Sequence, residues 1–253
     1  MIAITREVSR SLGDCELTWL QREPIDVDKA IAQHRGYEAC LESLGARVVS
    51  LPALEEHPDA VFVEDPAIVL DEVAVITTMG AASRRGERAS LAAALGAFRP
   101  VVWMRDPGRL EGGDVMRVGR DLYVGISGRT DAAGVEELRA VVGPYGYSVT
   151  AVELRDCLHL KSACCFVGDA VVLVNRDWVD GAVLGRYRLI DVAAGEPWGA
   201  NALRVGEAVV MASVFPLTAG RLRAAGFEVR AVDVSELMKA ESGVTCSSLI
   251  VED

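Results

Sequence analysis

NALRVGEAVVMAS (residues 201–213), PLTAGRLRAAG (216–226) and FEVRAVDV (227–234) form one unit of a strand pair, a helix and a strand. The hydrophobic period moves from 2 to about 3.6 and back, as expected for strands on either side of a helix. The same order occurs upstream. VFVEDPAIVLD (61–71) and VAVITTM (73–79) read as strands around a turn at Asp71-Glu72, SRRGERASLAAALGAF (83–98) as a helix, and PVVWM (100–104) as a strand. GGDVMRVG (112–119) and DLYVGIS (121–127) form a second pair around Gly119-Arg120. The helix DAAGVEELRAVVGPYG (131–146), which ends in glycine, and the strand YSVTAVEL (147–154) complete that copy. Another copy starts near His159 with LKSACCFVGDAVVLVN (160–175) and is less regular afterwards.

The fifth copy is split between the chain ends. VTCSSLIV (244–251) supplies one strand and MIAITR (1–6) its partner, followed by the helix DVDKAIAQHRGYEACLESLG (26–45) and the strand ARVVSLP (46–52). A unit divided in this way predicts a closed ring, sealed by pairing the two ends. The expectation is a single-domain α/β ring of five modules with pseudo-fivefold symmetry, covering residues 1–253. An open α/β sheet is the alternative.

Composition narrows the function. With 253 residues and 51% hydrophobic content the chain can bury a sizeable core. Its net charge of -11 disfavours nucleic-acid binding, which needs a basic face. No signal-peptide pattern opens the sequence and no apolar run is long enough to span a membrane, so a cytoplasmic protein is expected. The six cysteines, Cys15, Cys40, Cys157, Cys164, Cys165 and Cys246, lack zinc-ribbon spacing and read mostly as reduced thiols. No phosphate-binding glycine loop is present, and no cofactor or metal is expected.

In such a ring the first strand of each module lines the axis, and the starts of those strands meet at one mouth. Glu64, Asp65, Glu111, Asp114, His159 and Cys246 all fall near those starts. Singly, each has a plainer explanation: a buried cysteine is usually a small hydrophobe, and Glu111-Gly-Gly-Asp reads as a turn. Together they form a chemical set. A thiolate attacks carbon, a histidine shuttles a proton near neutral pH, and carboxylates grip a planar cation through paired hydrogen bonds. That combination points to a guanidinium substrate. A cysteine protease would be poorly served by so many anions around its oxyanion.

FVED (62–65), LEGGDV (110–115), SGRT (127–130), LHLKS (158–162) and SGVTCSSLI (242–250), in this order, resemble the dimethylarginine dimethylaminohydrolase family of the guanidine-modifying superfamily. The resemblance spans essentially the whole chain and implies a pentein-type, five-bladed α/β propeller. It implies Cys246 as nucleophile, His159 as general acid and base, and Glu111 as the carboxylate that grips the guanidinium and supports His159. Asp65 becomes a second guanidinium ligand, Glu64 lines the same pocket, and Asp59 is a further substrate contact. Arg84 and Arg129 resemble the pair that binds the substrate carboxylate. Leu17, in a loop with one additional residue, and Ala240 would offer backbone carbonyls to the substrate amine.

The implied reaction is hydrolysis of an Nω-methylated L-arginine to L-citrulline and an amine, through a covalent thiouronium on Cys246. A small-molecule guanidino amino acid is therefore the expected partner, with no nucleic acid and no membrane; a homodimer is left open. Zinc captured by the thiolate and imidazole would inhibit rather than catalyse. The segment near residues 11–18 is expected to cover the site. Related alternatives are an arginine deiminase, another substituted-guanidine hydrolase or an amidinotransferase. A non-catalytic binding ring, like the ribosome anti-association initiation factor, is the alternative from another class.

Overall fold

The computed structural model describes residues 1–252. Strand β1 (Ile2–Arg6), helix α1 (Val27–Ser43) and strand β2 (Arg47–Leu51) open the chain. They are followed by β3 (Ala67–Val69), β4 (Ala74–Ile76), α2 (Arg88–Leu95) and β5 (Val101–Trp103). Next come β6 (Val115–Val118), β7 (Asp121–Ile126), α3 (Ala132–Val142) and β8 (Ser148–Glu153). The short helix α4 (Leu160–Ala163) leads into β9 (Cys164–Gly168), β10 (Val171–Val174) and β11 (Arg188–Asp191). The chain ends with β12 (Ala202–Val205), β13 (Ala208–Ala212), α5 (Pro216–Ala224), β14 (Glu228–Val232), α6 (Ser235–Met238) and β15 (Leu249–Val251).

Five three-stranded sheets result, and all follow one plan among the described residues. The first two strands of each sheet are antiparallel, and the second and third are parallel. A tight turn suffices for the antiparallel pair, whereas the parallel pair needs a crossover, which the module's helical segment provides. In the split module β15 pairs antiparallel with β1, Ile2 opposite Val251, and β1 runs parallel to β2. The ring expected from the repeat is therefore the observed fold, an α/β propeller of five modules.

Local sequence explains the edges of these elements. Asp26 caps α1 by accepting the Lys29 N–H at 3.0 Å, and Asp131 caps α3 by accepting the Gly134 N–H at 2.9 Å. The β6–β7 turn needs a left-handed residue, and Gly119 supplies it at φ 60°. The inner strands β3, β6, β9, β12 and β15 surround an axial channel of about 360 Å³. Apolar clusters fill the space between sheets and outer helices, as between β7, β8 and α3 around Leu122, Leu138 and Val149.

Several boundaries depart from expectation. Residues 61–66 are turns, and β3 begins only at Ala67. Pro66 has no N–H for a sheet ladder, and its carbonyl instead accepts the Thr77 N–H at 3.0 Å. Residues 244–247 are likewise turns ahead of β15. The helix expected over 83–98 opens as a 3-10 turn, Ala82–Glu87, before α2. These departures matter for the site. A strand sends alternate side chains to opposite faces, whereas a turn can aim neighbouring ones differently. No helix among the described residues is long and apolar enough to cross a membrane.

Candidate active site

The turns ahead of β3, β6, β9 and β15 meet at one end of the ring. His159 Nε2 lies 2.9 Å from Glu111 Oε2, and His159 Nδ1 lies 3.8 Å from Asp65 Oδ1. Cys246, His159, Asp65, Asp59, Arg84, Arg129 and Ala240 line one cavity, with Glu16, Leu158 and Glu241. Glu111 stands behind His159, fully buried, and also takes the Ala81 N–H at 2.9 Å on its other oxygen.

The Glu-Gly-Gly-Asp turn is shaped by this crowding. A Cβ on Gly113 would stand 2.6 Å from His159 Nδ1 and 2.7 Å from Asp65 Oδ1. A Cβ on Gly112 would stand 2.1 Å from the Glu64 carbonyl oxygen. Only glycine allows the backbone this close to His159, Asp65 and the Glu64 carbonyl. Asp114, also fully buried, accepts the Leu160 N–H at 2.9 Å and the Ser127 hydroxyl at 2.7 Å. It thereby fixes the residue that follows His159.

Cys246 is held by backbone bonds on both sides. Its carbonyl accepts the Glu64 N–H at 3.2 Å, and its sulfur faces the Gly243 N–H at 3.5 Å. Asn201 fastens the preceding residue, accepting the Thr245 N–H at 3.1 Å and donating to Thr245 Oγ1 at 3.0 Å. Asn201 was not singled out from sequence. The available signal was its place, immediately ahead of β12, where the other modules carry their functional side chains.

The electrostatics set the resting protonation. Burial pushes the Cys246 thiol up, and the negative charges of Glu64 and Asp65 push it further, to about 12. Burial alone would lower the His159 pKa, but Asp65, Asp114 and Glu111 together raise it to about 9. Burial would raise Glu111, yet its hydrogen bond to His159 and the charges of His159, Arg84 and Arg129 hold it well below the usual carboxylate range. The resting site therefore holds a neutral thiol beside an imidazolium–carboxylate pair. Asp65, Glu111 and His159 also place three ligand atoms within 4.8 Å of one another, an arrangement that could hold a metal ion. A cation there would compete with the Arg84–Asp65 and His159–Glu111 pairs.

Several expected contacts are placed differently. Glu64 does not line the cavity with Asp65. Its oxygens bond Lys161 Nζ at 2.5 Å and Thr245 Oγ1 at 2.8 Å, and it faces the axial channel. The turn at Glu64-Asp65 sends the two side chains to opposite sides. Arg84 reaches the cavity but is buried and committed. It donates to Asp65 at 2.5 Å, to both Glu87 oxygens at 2.9 Å, and to the carbonyls of Asp59 and Phe62. Arg129 is freer, with Nη2 on Thr18 Oγ1 at 3.1 Å and Nη1 3.5 Å from Glu111. Leu17 is half-buried against the apolar core, and its neighbour Glu16 lines the cavity instead. Glu16, Lys161 and Glu241 were not foreseen; each is a charged residue in a loop or short helix whose partner is remote in sequence. All six cysteines are free thiols.

Comparison with known proteins agrees with this geometry. The sequence pattern of a family described as N,N dimethylarginine dimethylhydrolase, eukaryotic, matches residues 16–183. The N(G),N(G)-dimethylarginine dimethylaminohydrolase of Pseudomonas aeruginosa is 35% identical over 248 residues, 97% of each chain. That of Streptomyces coelicolor is 37% identical over 257 residues, covering 98% of this chain and 95% of the other. A solved structure of the Pseudomonas aeruginosa enzyme, a cysteine-to-serine mutant complexed with citrulline, superposes with a TM-score of 0.93 at 34% identity. It covers 98% of this chain and 97% of that one.

Proposed function

Because this chain belongs to the dimethylarginine dimethylaminohydrolase family, we propose that it hydrolyses Nω-methylated L-arginine to L-citrulline and methylamine or dimethylamine. The observation that carries the proposal is the convergence of Cys246, the His159–Glu111 pair and Asp65 on one cavity, in a family with a citrulline-bound member. The whole of residues 1–253 is taken as one domain, because both ends contribute strands to the same module.

The guanidinium enters beside Asp65, and the charges of Asp65 and of Glu111 behind His159 favour a planar cation. Arg129 takes the substrate carboxylate, while Arg84 chiefly holds Asp65 in place. Asp59 and the carbonyls of Leu17 and Ala240 serve the α-amino end. Arrival of the cation beside Cys246 offsets the neighbouring carboxylates, and the thiol releases its proton to solvent. The thiolate adds to the guanidino carbon. His159, already protonated, gives its proton to the substituted nitrogen, the C–N bond breaks, and the neutral amine leaves. A cationic thiouronium remains on Cys246. Neutral His159 then takes a proton from water as the hydroxide forms its bond to the same carbon. The C–S bond breaks, the added hydroxyl gives its proton to solvent as the carbonyl forms, citrulline departs and the thiolate is restored. Attack on a cation gives a neutral adduct, so no oxyanion hole is required.

The test is a side-by-side turnover assay with asymmetric dimethyl-L-arginine, monomethyl-L-arginine and L-arginine, quantifying citrulline and the released amine. Citrulline with dimethylamine from the first, and little from arginine, is the expected result. Citrulline with ammonia from arginine as the dominant reaction would move the chain to deiminase chemistry. No turnover of any of the three by folded, reduced protein would overturn the proposal.

A further inference from the structure

The segment 15–20 roofs the catalytic cavity through Glu16, its one residue in the lining. Glu16 donates its N–H to Asp59 at 3.1 Å and accepts the Ser83 hydroxyl at 2.6 Å, and Arg129 bonds Thr18 Oγ1. With the segment in this position the cavity holds about 20 Å³, room for roughly one water. A guanidino amino acid enters only if the roof lifts.

One side chain carries most of the roof's outer fastening. The Glu241 carboxylate accepts the backbone N–H groups of three successive residues, Thr18 at 2.9 Å, Trp19 and Leu20. Those residues have no helix or strand of their own and are exposed. Beneath Leu20 lies an apolar hollow of about 70 Å³ walled by Trp198, Phe215, Met238 and Val244, and by the 241–243 turn itself. The tip thus rests on an apolar seat, with a carboxylate beside it.

Glu241 is also part of the catalytic loop. It adopts a left-handed conformation, φ 57°, that a non-glycine residue leaves readily unless contacts hold it. Ala240 and Ser242 on either side line the cavity, and Gly243 presents its N–H to the Cys246 sulfur at 3.5 Å. The Glu241 N–H is bonded to the Met238 carbonyl at 3.1 Å, and the contacts that hold its side chain are the roof's N–H groups.

We propose that Glu241 is a positioning residue that latches Thr18–Leu20 over the site and, by the same bonds, holds the 241–243 turn with the Gly243 N–H on Cys246. Closing the roof and stabilising the thiolate are then one event. Lifting the roof frees Glu241 to relax and withdraws a hydrogen bond that favours the charged sulfur. The inference rests on the proposed function only in taking Cys246 as the nucleophile, and its test does not need turnover.

Two variants break the latch from opposite sides. Glu241→Ala removes the acceptor, and Trp19→Pro removes a donor while keeping the Glu241 charge. Two measurements are made on each: amide hydrogen exchange over residues 15–22, and the rate of Cys246 alkylation by iodoacetamide from pH 6 to 11. In both variants exchange at the remaining latch amides should rise about tenfold or more, the equivalent of one lost charge-assisted hydrogen bond. The limiting alkylation rate should rise as the sulfur is uncovered. In Trp19→Pro, with every charge retained, the apparent thiol pKa should move upward. A shift in Glu241→Ala alone would be a charge effect and would overturn the latch. Parent-like exchange and pH profiles in both would reduce the contact to an ordinary loop staple, also overturning it. Each of these outcomes keeps its meaning even if methylated arginines prove not to be substrates. Should Glu241→Ala lose its fold, Glu241→Gln, which keeps one acceptor oxygen, takes its place with a smaller change of the same sign.

Discussion

Gly113→Ala tests whether the site is built by close packing. The added Cβ would meet His159 Nδ1 at 2.6 Å and Asp65 Oδ1 at 2.7 Å, about 0.8 Å short of an ordinary contact. Something must yield, and the backbone is poorly placed to do so. Gly112 N–H is bonded to the Asp65 carbonyl at 2.8 Å, Gly113 N–H to Asp65 Oδ1 at 3.2 Å, and Asp114 N–H to the Glu111 carbonyl at 3.0 Å. The imidazole is therefore the group that moves. A displacement near 1 Å in a catalytic group costs on the order of 100-fold in rate, which is about 2.7 kcal/mol of transition-state free energy. Overpacking should cost a further ~1–3 kcal/mol of stability. The assay is citrulline release under saturating substrate, alongside urea unfolding. The expected outcome is a folded, less stable protein with kcat down about 100-fold. A folded variant whose kcat stays within about threefold of the parent, on the same scale, would refute the claim that this contact positions His159.

Cys246→Ser should lower turnover by about 10⁴-fold or more while leaving the circular dichroism spectrum unchanged, because the hydroxyl is a far weaker nucleophile at this carbon. Arg84→Ala should destabilise the fold by ~3–5 kcal/mol in urea, since it strands the buried Asp65 and Glu87 carboxylates. Arg129→Ala should instead raise KM with little loss of stability, and equal stability losses in the two would contradict the division of roles. The rate of amine release should fall as pH rises through about 9, where His159 loses its proton. The same raised pKa contributes stability that is fully present below the unfolded value of 6.5 and is lost as pH rises through about 9. His159→Asn should flatten that part of the stability profile, measured by Tm from pH 6 to 10.

The ring was legible because a repeating unit is a strong signal, and because one unit was visibly cut by the chain ends. The meeting of Cys246, His159, Glu111 and Asp65 followed from their common place in the repeat. What the sequence hid was side-chain direction inside the turns. Glu64 and Asp65 are neighbours, yet one serves the channel with Lys161 and Thr245 and the other serves the cavity. Strand alternation alone would put such neighbours on opposite faces; the resemblance placed both in one pocket, and which side each takes is set by the turns of residues 61–66. Arg84 was read as a carboxylate ligand from the family resemblance, and its engagement by Glu87, Asp65 and two carbonyls depends on how a 3-10 turn packs under residues 59–65. Glu241 was illegible for a different reason. Its partners are backbone N–H groups more than 200 positions away, and backbone donors leave no mark in a sequence.

The resting charges suggest why this site selects a cation before any chemistry begins. Asp59 and Asp65 line the cavity, Glu111 lies buried behind His159, and against them stand Arg84, Arg129 and a protonated His159. Arg84 is spent on Asp65 and Glu87, and His159 on Glu111. Burial raises the Cys246 thiol, and the negative charges of Glu64 and Asp65 raise it further, so it stays protonated without substrate. An uncharged amide such as citrulline supplies no charge to reverse that and cannot generate the nucleophile. In the proposed reaction a guanidinium does so by binding, and the molecule that is to be cut also switches on the group that cuts it. The same logic explains release: once the guanidino carbon has become a neutral urea, the attraction that held it and stabilised the thiolate is gone. Product departure then returns Cys246 to its inert thiol form, a safeguard for a sulfur that must otherwise survive in solution between turnovers.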